Sequence, residues 1–459
     1  MKVRKRLAVA ALLAAALLAV LSVGASAATK SVAVDVKCTT GKPVPVSLTM
    51  DEVREAIGVD FPANWDSLKV VDEDGNVVPF QLDDVDMSGT VSRYDELAFL
   101  ATGRVKIVVS DEAPQEKPVF EPAFRVLEID EDNTVIESLD GLFKVKVGKH
   151  GTLDIIEYRG KEHKYARDIG MIRYAGFPYS TWWYDENYDR HEEKTTFEEP
   201  LRRVKFGILE AGPARITVVA HNASDLFPGL RQQMVASIYA TGEIRVSNRV
   251  VSAGYADLTK LFTMCGGVMA DVEDARHILP VFRWIDWADE LKMTAEEYWA
   301  EQGVLTKVDG ASYIAFADSR GPKPAWWGAS YLFCSPERWR ANVSASEGMG
   351  VAECLMDVPE VADDLEGKIN MEHWHLEGEW RTGYFRWIAD EIFGLRQKNE
   401  IPIDIEDLED KGPNWPLHMI PGDVFEHLNF YLLFDADGVD SAVRFLEARY
   451  AELDSVEVR

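Results

Sequence analysis

Cysteine is scarce. Cys38, Cys265, Cys334 and Cys354 are the only four in 459 residues. No two stand at a C-x-x-C spacing, so a cysteine zinc site or redox dithiol has no local support. The chain also has no G-x-S-x-G elbow, no Gly-rich phosphate loop and no H-E-x-x-H run. Esterase, kinase and zincin chemistry therefore lack their usual signatures. Positive charge is short as well: 49 Lys and Arg against 78 Asp and Glu give a formal charge of −29. Such a surface repels nucleic acid and anionic membranes. It also repels polyanionic polymers unless a local basic groove or a bound cation intervenes. Helical periodicity, internal repeats and low-complexity tracts are equally sparse.

Hydrophobic residues make up 47% of the chain, which excludes disorder. The cationic residues Lys2, Arg4, Lys5 and Arg6 precede an apolar run from Leu7 to Val23, which closes on Ala25-Ser26-Ala27-Ala28. This is the layout of a secretory signal peptide over residues 1–27, with the cut after Ala27. The expected mature protein is secreted or periplasmic, without a membrane anchor. In such a compartment Cys334 and Cys354 can close a modest loop. Free buried thiols are the alternative.

Beyond the signal, period-2 alternation dominates. Val32, Val34 and Val36 share one strand face, as do Val44, Val46 and Leu48. Thr49 and Glu52 fit a capping box for a short helix with Val53, Ala56 and Ile57 on its apolar stripe and Gly58 at its end. Asp74-Gly75 marks a hairpin. A small β domain over 28–110 is expected, then a Pro-rich, acidic linker over 111–135. Residues 136–459 read as a second, larger unit. Its expected strands include 142–147, 214–221, 234–240 and 244–251, and its few helical stretches are 294–302 and 439–453. The fold class is mostly β: a small N-terminal β domain and a large antiparallel β-sandwich.

Asp140-Gly-Leu-Phe-Lys-Val-Lys-Val147, the turn at Tyr158-Arg-Gly-Lys161 and Ile238-Tyr-Ala-Thr-Gly-Glu-Ile-Arg-Val246 resemble the opening strands of the galactose-mutarotase-like β-supersandwich. That fold is common in secreted polysaccharide lyases. Val78-Pro-Phe-Gln-Leu-Asp-Asp-Val-Asp86 with Asp95-Glu-Leu-Ala-Phe99 resembles an N-terminal β module of secreted bacterial proteins linked to polysaccharide breakdown. The resemblance implies a supersandwich and a polysaccharide or oligosaccharide partner. It carries over no catalytic set.

Three constellations can carry chemistry. Asp84, Asp86, Ser88 and Asp95 place oxygens at loop positions 1, 3, 5 and 12, with Gly89 at position 6. That matches a calcium loop without its flanking helices, so Ca2+ is the expected ion and an acidic surface turn the plain alternative. In Glu372-His-Trp-His-Leu-Glu-Gly-Glu-Trp380, one continuous strand puts His373, His375, Glu377 and Glu379 on one face. Trp374, Leu376 and Trp380 then take the other face. Two imidazoles with a carboxylate can ligate a divalent metal or move protons. His373, His375, Arg381 and Tyr384 are the candidate catalytic residues, with Arg386 binding substrate. A solvated polar strand face is the alternative. Residues 179–191 read as a long aromatic loop, in which Trp182, Tyr184, Tyr188, Arg190 and His191 can face a glycan or pack inward. The isolated histidines, His277 among them, read as structural.

A secreted carbohydrate-active enzyme follows, first of all a lyase that cleaves a uronate-containing glycan by β-elimination. A non-catalytic glycan-binding or cell-surface accessory protein, or a glycoside hydrolase, are the alternatives.

Overall fold

The structure is a computed structural model. It describes residues 28–459 apart from 115, 117, 131–132, 177–181, 185–189, 193–200, 226, 228, 269–273, 281–293, 302, 317–337, 357–369, 377–378 and 386–416. The expected signal segment lies outside the described residues.

Two large antiparallel sheets form the body. One is ten-stranded. It runs in spatial order through Arg202–Ile208, Arg215–Ala223, Leu230–Tyr239, Glu243–Ser252, Val424–Asp435, Met349–Leu355, Trp339–Ser344, Arg276–Pro280, Ala311–Phe316 and Leu305–Val308. The other is nine-stranded and runs from the hairpin Asn370–Leu376 and Glu379–Phe385 through Ala256–Val268 and Lys161–Gly176 to Phe124–Asp130. The alternation read from the sequence explains the layering. Ile216, Val218, Ala220, Ile244 and Val246 of the first sheet pack with Phe143, Val145, Leu153 and Ile155 of the second in one buried cluster. The residues between them on each strand point away. Gly242 takes φ 92° in the hairpin that joins Leu230–Tyr239 to Glu243–Ser252, a backbone that favours glycine.

The other face of the ten-stranded sheet is covered by the helix Val439–Leu453. Val443, Leu446 and Leu453 of that helix pack on Tyr239, Ala352, Cys354 and Leu432. Cys354 is a buried free thiol, while Cys334 lies outside the described residues. Arg449, fully buried on the same helix, donates to Glu243 Oε1 and Glu452 Oε2, each at 2.8 Å, and to the carbonyls of Lys42 and Pro43.

Residues 29–110 fold as two small sheets around a helix, with their own apolar cluster. The helix Met50–Ile57 is capped as its sequence dictates. Thr49 accepts from the Glu52 amide, Glu52 reaches back to the Thr49 amide, and Gly58 closes it at φ 56°. Its buried stripe is Met50, Val53 and Ile57, and Ala56 is exposed instead. Asp74-Gly75 makes a turn that brings Val77 beside Val71, and Phe80–Asp83 then pairs with Glu96–Ala101. The stretch expected as a linker already contains sheet from Phe124 onward. At the chain's end Glu457–Val458 pairs with Thr29–Asp35 of the first unit.

Candidate functional site

The acidic loop joins the strand Phe80–Asp83 to Glu96–Ala101. The turn packs carboxylate oxygens of Asp84, Asp86 and Asp95 within 4.8 Å of one another. Local amides hold them. The Ser88 amide donates to Asp84 Oδ1 at 2.8 Å and Asp86 Oδ1 at 3.0 Å, and the Gly89 amide to Asp84 Oδ2 at 2.7 Å. Gly89 sits at φ 76° and Met87 at φ 52°, which curls the backbone toward its own side chains. Asp95 is buried and accepts from the Ser92 amide and hydroxyl. Burial first, and then the charges of Asp84 and Asp86, push its carboxyl up against those hydrogen bonds. Three of the four expected ligands therefore converge. Ser88 serves through its amide, and its hydroxyl donates to the Thr90 carbonyl at 2.9 Å. Lys205, on the edge strand of the ten-stranded sheet, donates to the Asp86 carbonyl at 2.7 Å and fastens the loop to the sandwich.

The histidine segment differs from its expected form. It is a hairpin, not one strand: Asn370–Leu376 turns back into Glu379–Phe385. The register pairs Leu376 with Glu379, His375 with Trp380, His373 with Thr382 and Met371 with Tyr384. Cross-strand partners share a sheet face. Glu379 is thus placed in register with Leu376 rather than in line with the histidines, and Trp380 falls at the rung of His375. The reason is that the chain reverses direction between Leu376 and Glu379, which shifts the parity of everything after it. Tyr384 stands on the histidine parity. Arg381, paired with Trp374, stands on the other. Glu377 and Arg386 lie outside the described residues.

The aromatic segment is not a plain loop. Trp182–Tyr184 and Arg190–Glu192 form a two-stranded ribbon that pairs Trp183 with His191 and Tyr184 with Arg190. Tyr188 lies outside the described residues. No described strand pairing joins this ribbon to the histidine hairpin.

One polar cluster escaped the sequence reading. On its sandwich-facing side the ten-stranded sheet carries Ile216, Val218, Ala220, Ile244 and Val246, with a buried Asn222–Gln232–Asn248 row at one end of those strands, and farther across it presents Tyr431, Asn429, Glu353, Arg340, Asn342 and His277. The last six are almost fully buried. The other side of the same strands stays apolar through Leu432, Phe430, Cys354, Ala341 and Ile278. The Glu353 carboxylate is the hub. Arg340 Nη2 and Nε reach its Oε2 at 2.8 and 3.1 Å, and Asn429 Nδ2 and the Tyr431 hydroxyl reach its Oε1 at 2.9 and 2.6 Å. His277 Nδ1 lies 2.7 Å from Asn342 Oδ1. Burial, followed by the Arg340 charge, pushes His277 down to about 3, so its imidazole is neutral at ordinary pH. The strand Ala256–Val268 of the facing sheet packs against Glu243–Ser252, Met349–Leu355 and Val424–Asp435. The histidine hairpin extends that sheet outward from Ala256–Val268. The strands carrying Arg340 and His277 extend the other sheet outward from Met349–Leu355.

No protein-family model and no curated protein matches the chain. Solved structures of similar fold include the galactose 1-epimerase from Lactobacillus acidophilus NCFM, 10% identical at a TM-score of 0.35. That match covers 69% of this chain and 99% of the epimerase. The heparan sulfate lyase HepC from Pedobacter heparinus is 10% identical at a TM-score of 0.26, over 72% of this chain and 38% of the lyase. A TPR-domain containing protein from Parabacteroides distasonis ATCC 8503 is 11% identical at a TM-score of 0.29, over 91% of this chain and 57% of its own. At such identities and TM-scores these likenesses decide nothing about the chemistry of this chain.

Proposed function

We propose that this protein is an exported carbohydrate-active enzyme that cleaves a uronate-containing glycan by β-elimination. The observation that supports this most directly is the hairpin register, which sets His373, His375 and Tyr384 at one parity on neighbouring rungs. The chemistry needs those residue types. A cation neutralises the uronate carboxylate; Arg386 is assigned that role, because Arg381 falls at the rung of Trp374, on the opposite parity to His373 and Tyr384. His373, His375 or Tyr384 takes the C5 proton, the C4–O bond breaks as the C4=C5 double bond forms, and a second group protonates the departing oxygen. The aromatic ribbon, with Trp182, Tyr184, Tyr188, Arg190 and His191, is assigned to glycan binding in this reading. The test is a polysaccharide panel followed at the absorbance of the unsaturated uronide, with and without chelator. New absorbance with at least one uronate polymer supports elimination. Reducing ends without that absorbance point to a hydrolase, and binding without any cleavage to an accessory protein.

Calcium is proposed for the acidic loop in a structural role, since three carboxylates and a curled backbone suit a hard cation. Calorimetry is expected to show calcium binding to the parent protein and at least tenfold weaker binding to Asp84→Ala and Asp86→Ala, on the order of 1.4 kcal/mol for each lost carboxylate. Equal affinity in parent and variants, or no binding by the parent, defeats this assignment.

A further inference from the structure

Charges on a buried sheet face are expensive, and a pair kept only for structure normally exhausts its hydrogen-bonding capacity. Glu353 does so, with four donor contacts on two oxygens. Its neighbours do not. Arg340 Nη1 and Asn429 Oδ1 are buried and have no hydrogen-bond partner among the described residues. The first is a donor and the second an acceptor, and they flank the same carboxylate. Each orphan is costly unless something meets it.

We propose that the face formed by Arg340, Glu353 and Asn429 is a binding site for the hydroxyl-bearing edge of an uncharged sugar unit. A hydroxyl accepts from Arg340 Nη1 and another donates to Asn429 Oδ1, so one polyol edge satisfies both orphans. A carboxylate does not fit. It has no proton for Asn429 Oδ1, and Glu353 has already matched the Arg340 charge. A second cation is missing from the six-residue polar row, because His277 is neutral there. The site therefore selects a neutral unit of the glycan. This inference rests on the carbohydrate reading and adds to it: a uronate at the hairpin and an uncharged neighbour here make a mixed polymer the substrate.

The test is calorimetric titration of the full chain with neutral oligosaccharides, uronate oligosaccharides and deoxy analogues of whichever neutral sugar binds. The parent is expected to bind a neutral sugar and to lose about tenfold in affinity for the analogue lacking the recognised hydroxyl. Asn429→Ala is expected to lose a similar factor. Should that variant fail to fold, the deoxy series on the parent decides alone. Binding of uronates but no neutral sugar overturns the proposal. So does equal affinity for every deoxy analogue, or a sugar-soaked crystal with only water between Arg340 and Asn429. Eliminative cleavage without neutral-sugar binding sinks this proposal and spares the lyase reading. Neutral-sugar binding without cleavage does the reverse.

Discussion

Arg215→Met is expected to lower the unfolding free energy by about 3–5 kcal/mol, the usual scale for stripping one partner from a buried ion pair. Arg215 is fully buried on a strand of the ten-stranded sheet, yet its carboxylate partners belong to a small N-terminal sheet. Its Nε meets Asp83 Oδ2 at 2.8 Å and its Nη2 meets Glu96 Oε2 at 2.9 Å. Nη1 donates to Ser47 Oγ and to the Tyr239 hydroxyl, each at 3.0 Å. One guanidinium thus fastens the first unit to the sandwich. Methionine fills the space but leaves two carboxylates without it. Arg245, 3.3 Å from Glu96 Oε1, still attends Glu96, whereas Asp83 keeps only neutral donors such as Thr217. Asp83→Asn should therefore recover more of the loss than Glu96→Gln. Urea unfolding followed by tryptophan fluorescence measures both, and a loss under about 1 kcal/mol would show the pair to be ornamental.

The same contact predicts the acid limb of stability. Burial by itself would push the Glu96 carboxyl up. The Arg245 and Arg215 charges, with hydrogen bonds from Ser47 and Arg215, outweigh it and hold Glu96 at about 2. A carboxyl depressed on folding stabilises fully above its unfolded value near 4.5, and the contribution fades as pH falls through 2. Roughly 3 kcal/mol should be lost across that window in the parent. Much less should be lost in Glu96→Gln.

What the sequence revealed and what it hid have physical causes. Thr49, Glu52 and Gly58 define their helix because caps act within a turn or two of chain. Gly242 suits its hairpin because positive φ is a local demand. The 370–385 hairpin was missed because alternation carries no mark where parity resets. Only Gly378 hinted at the turn, and a glycine inside a strand pattern is also a common bulge signal. The Arg340 cluster was hidden for a different reason. Its members are scattered from His277 to Tyr431, and only the sheet order makes them neighbours. A signal did exist: Arg340 follows Trp339 and precedes Ala341, and Glu353 lies between Ala352 and Cys354, so each is a lone charge in an apolar strand. Such a charge is almost never fully buried without a partner. Two in one unit ought to be sought as a pair.

His373→Ala and His375→Ala should separate the functional readings most sharply. If the glycan is cleaved by elimination, at least one of them should lose roughly a hundredfold or more in kcat, the scale of losing an acid–base group. The register refines the expectation. Tyr384 stands at the rung of Met371, beside the rung of His373, while His375 is one rung farther along, at Trp380. His373 and Tyr384 are thus the closer pair, suited to take and give a proton across one sugar unit. Tyr384→Phe should then resemble His373→Ala in kcat, with a smaller effect on KM, because both act on the reacting bond and not on the polymer's grip. Arg386→Ala, in the role of meeting the carboxylate, should raise KM as well as lower kcat, whereas Arg381→Ala, at the rung of Trp374 on the opposite parity, should change kcat far less than His373→Ala. A base of the imidazole kind also gives a rate that falls as pH drops through the region of 6.5. A tyrosine alone would not give that limb. Full activity in both histidine variants removes the hairpin from the chemistry. Glu379→Gln would then be the variant to make, since a hydrolase needs carboxylates where a lyase needs none.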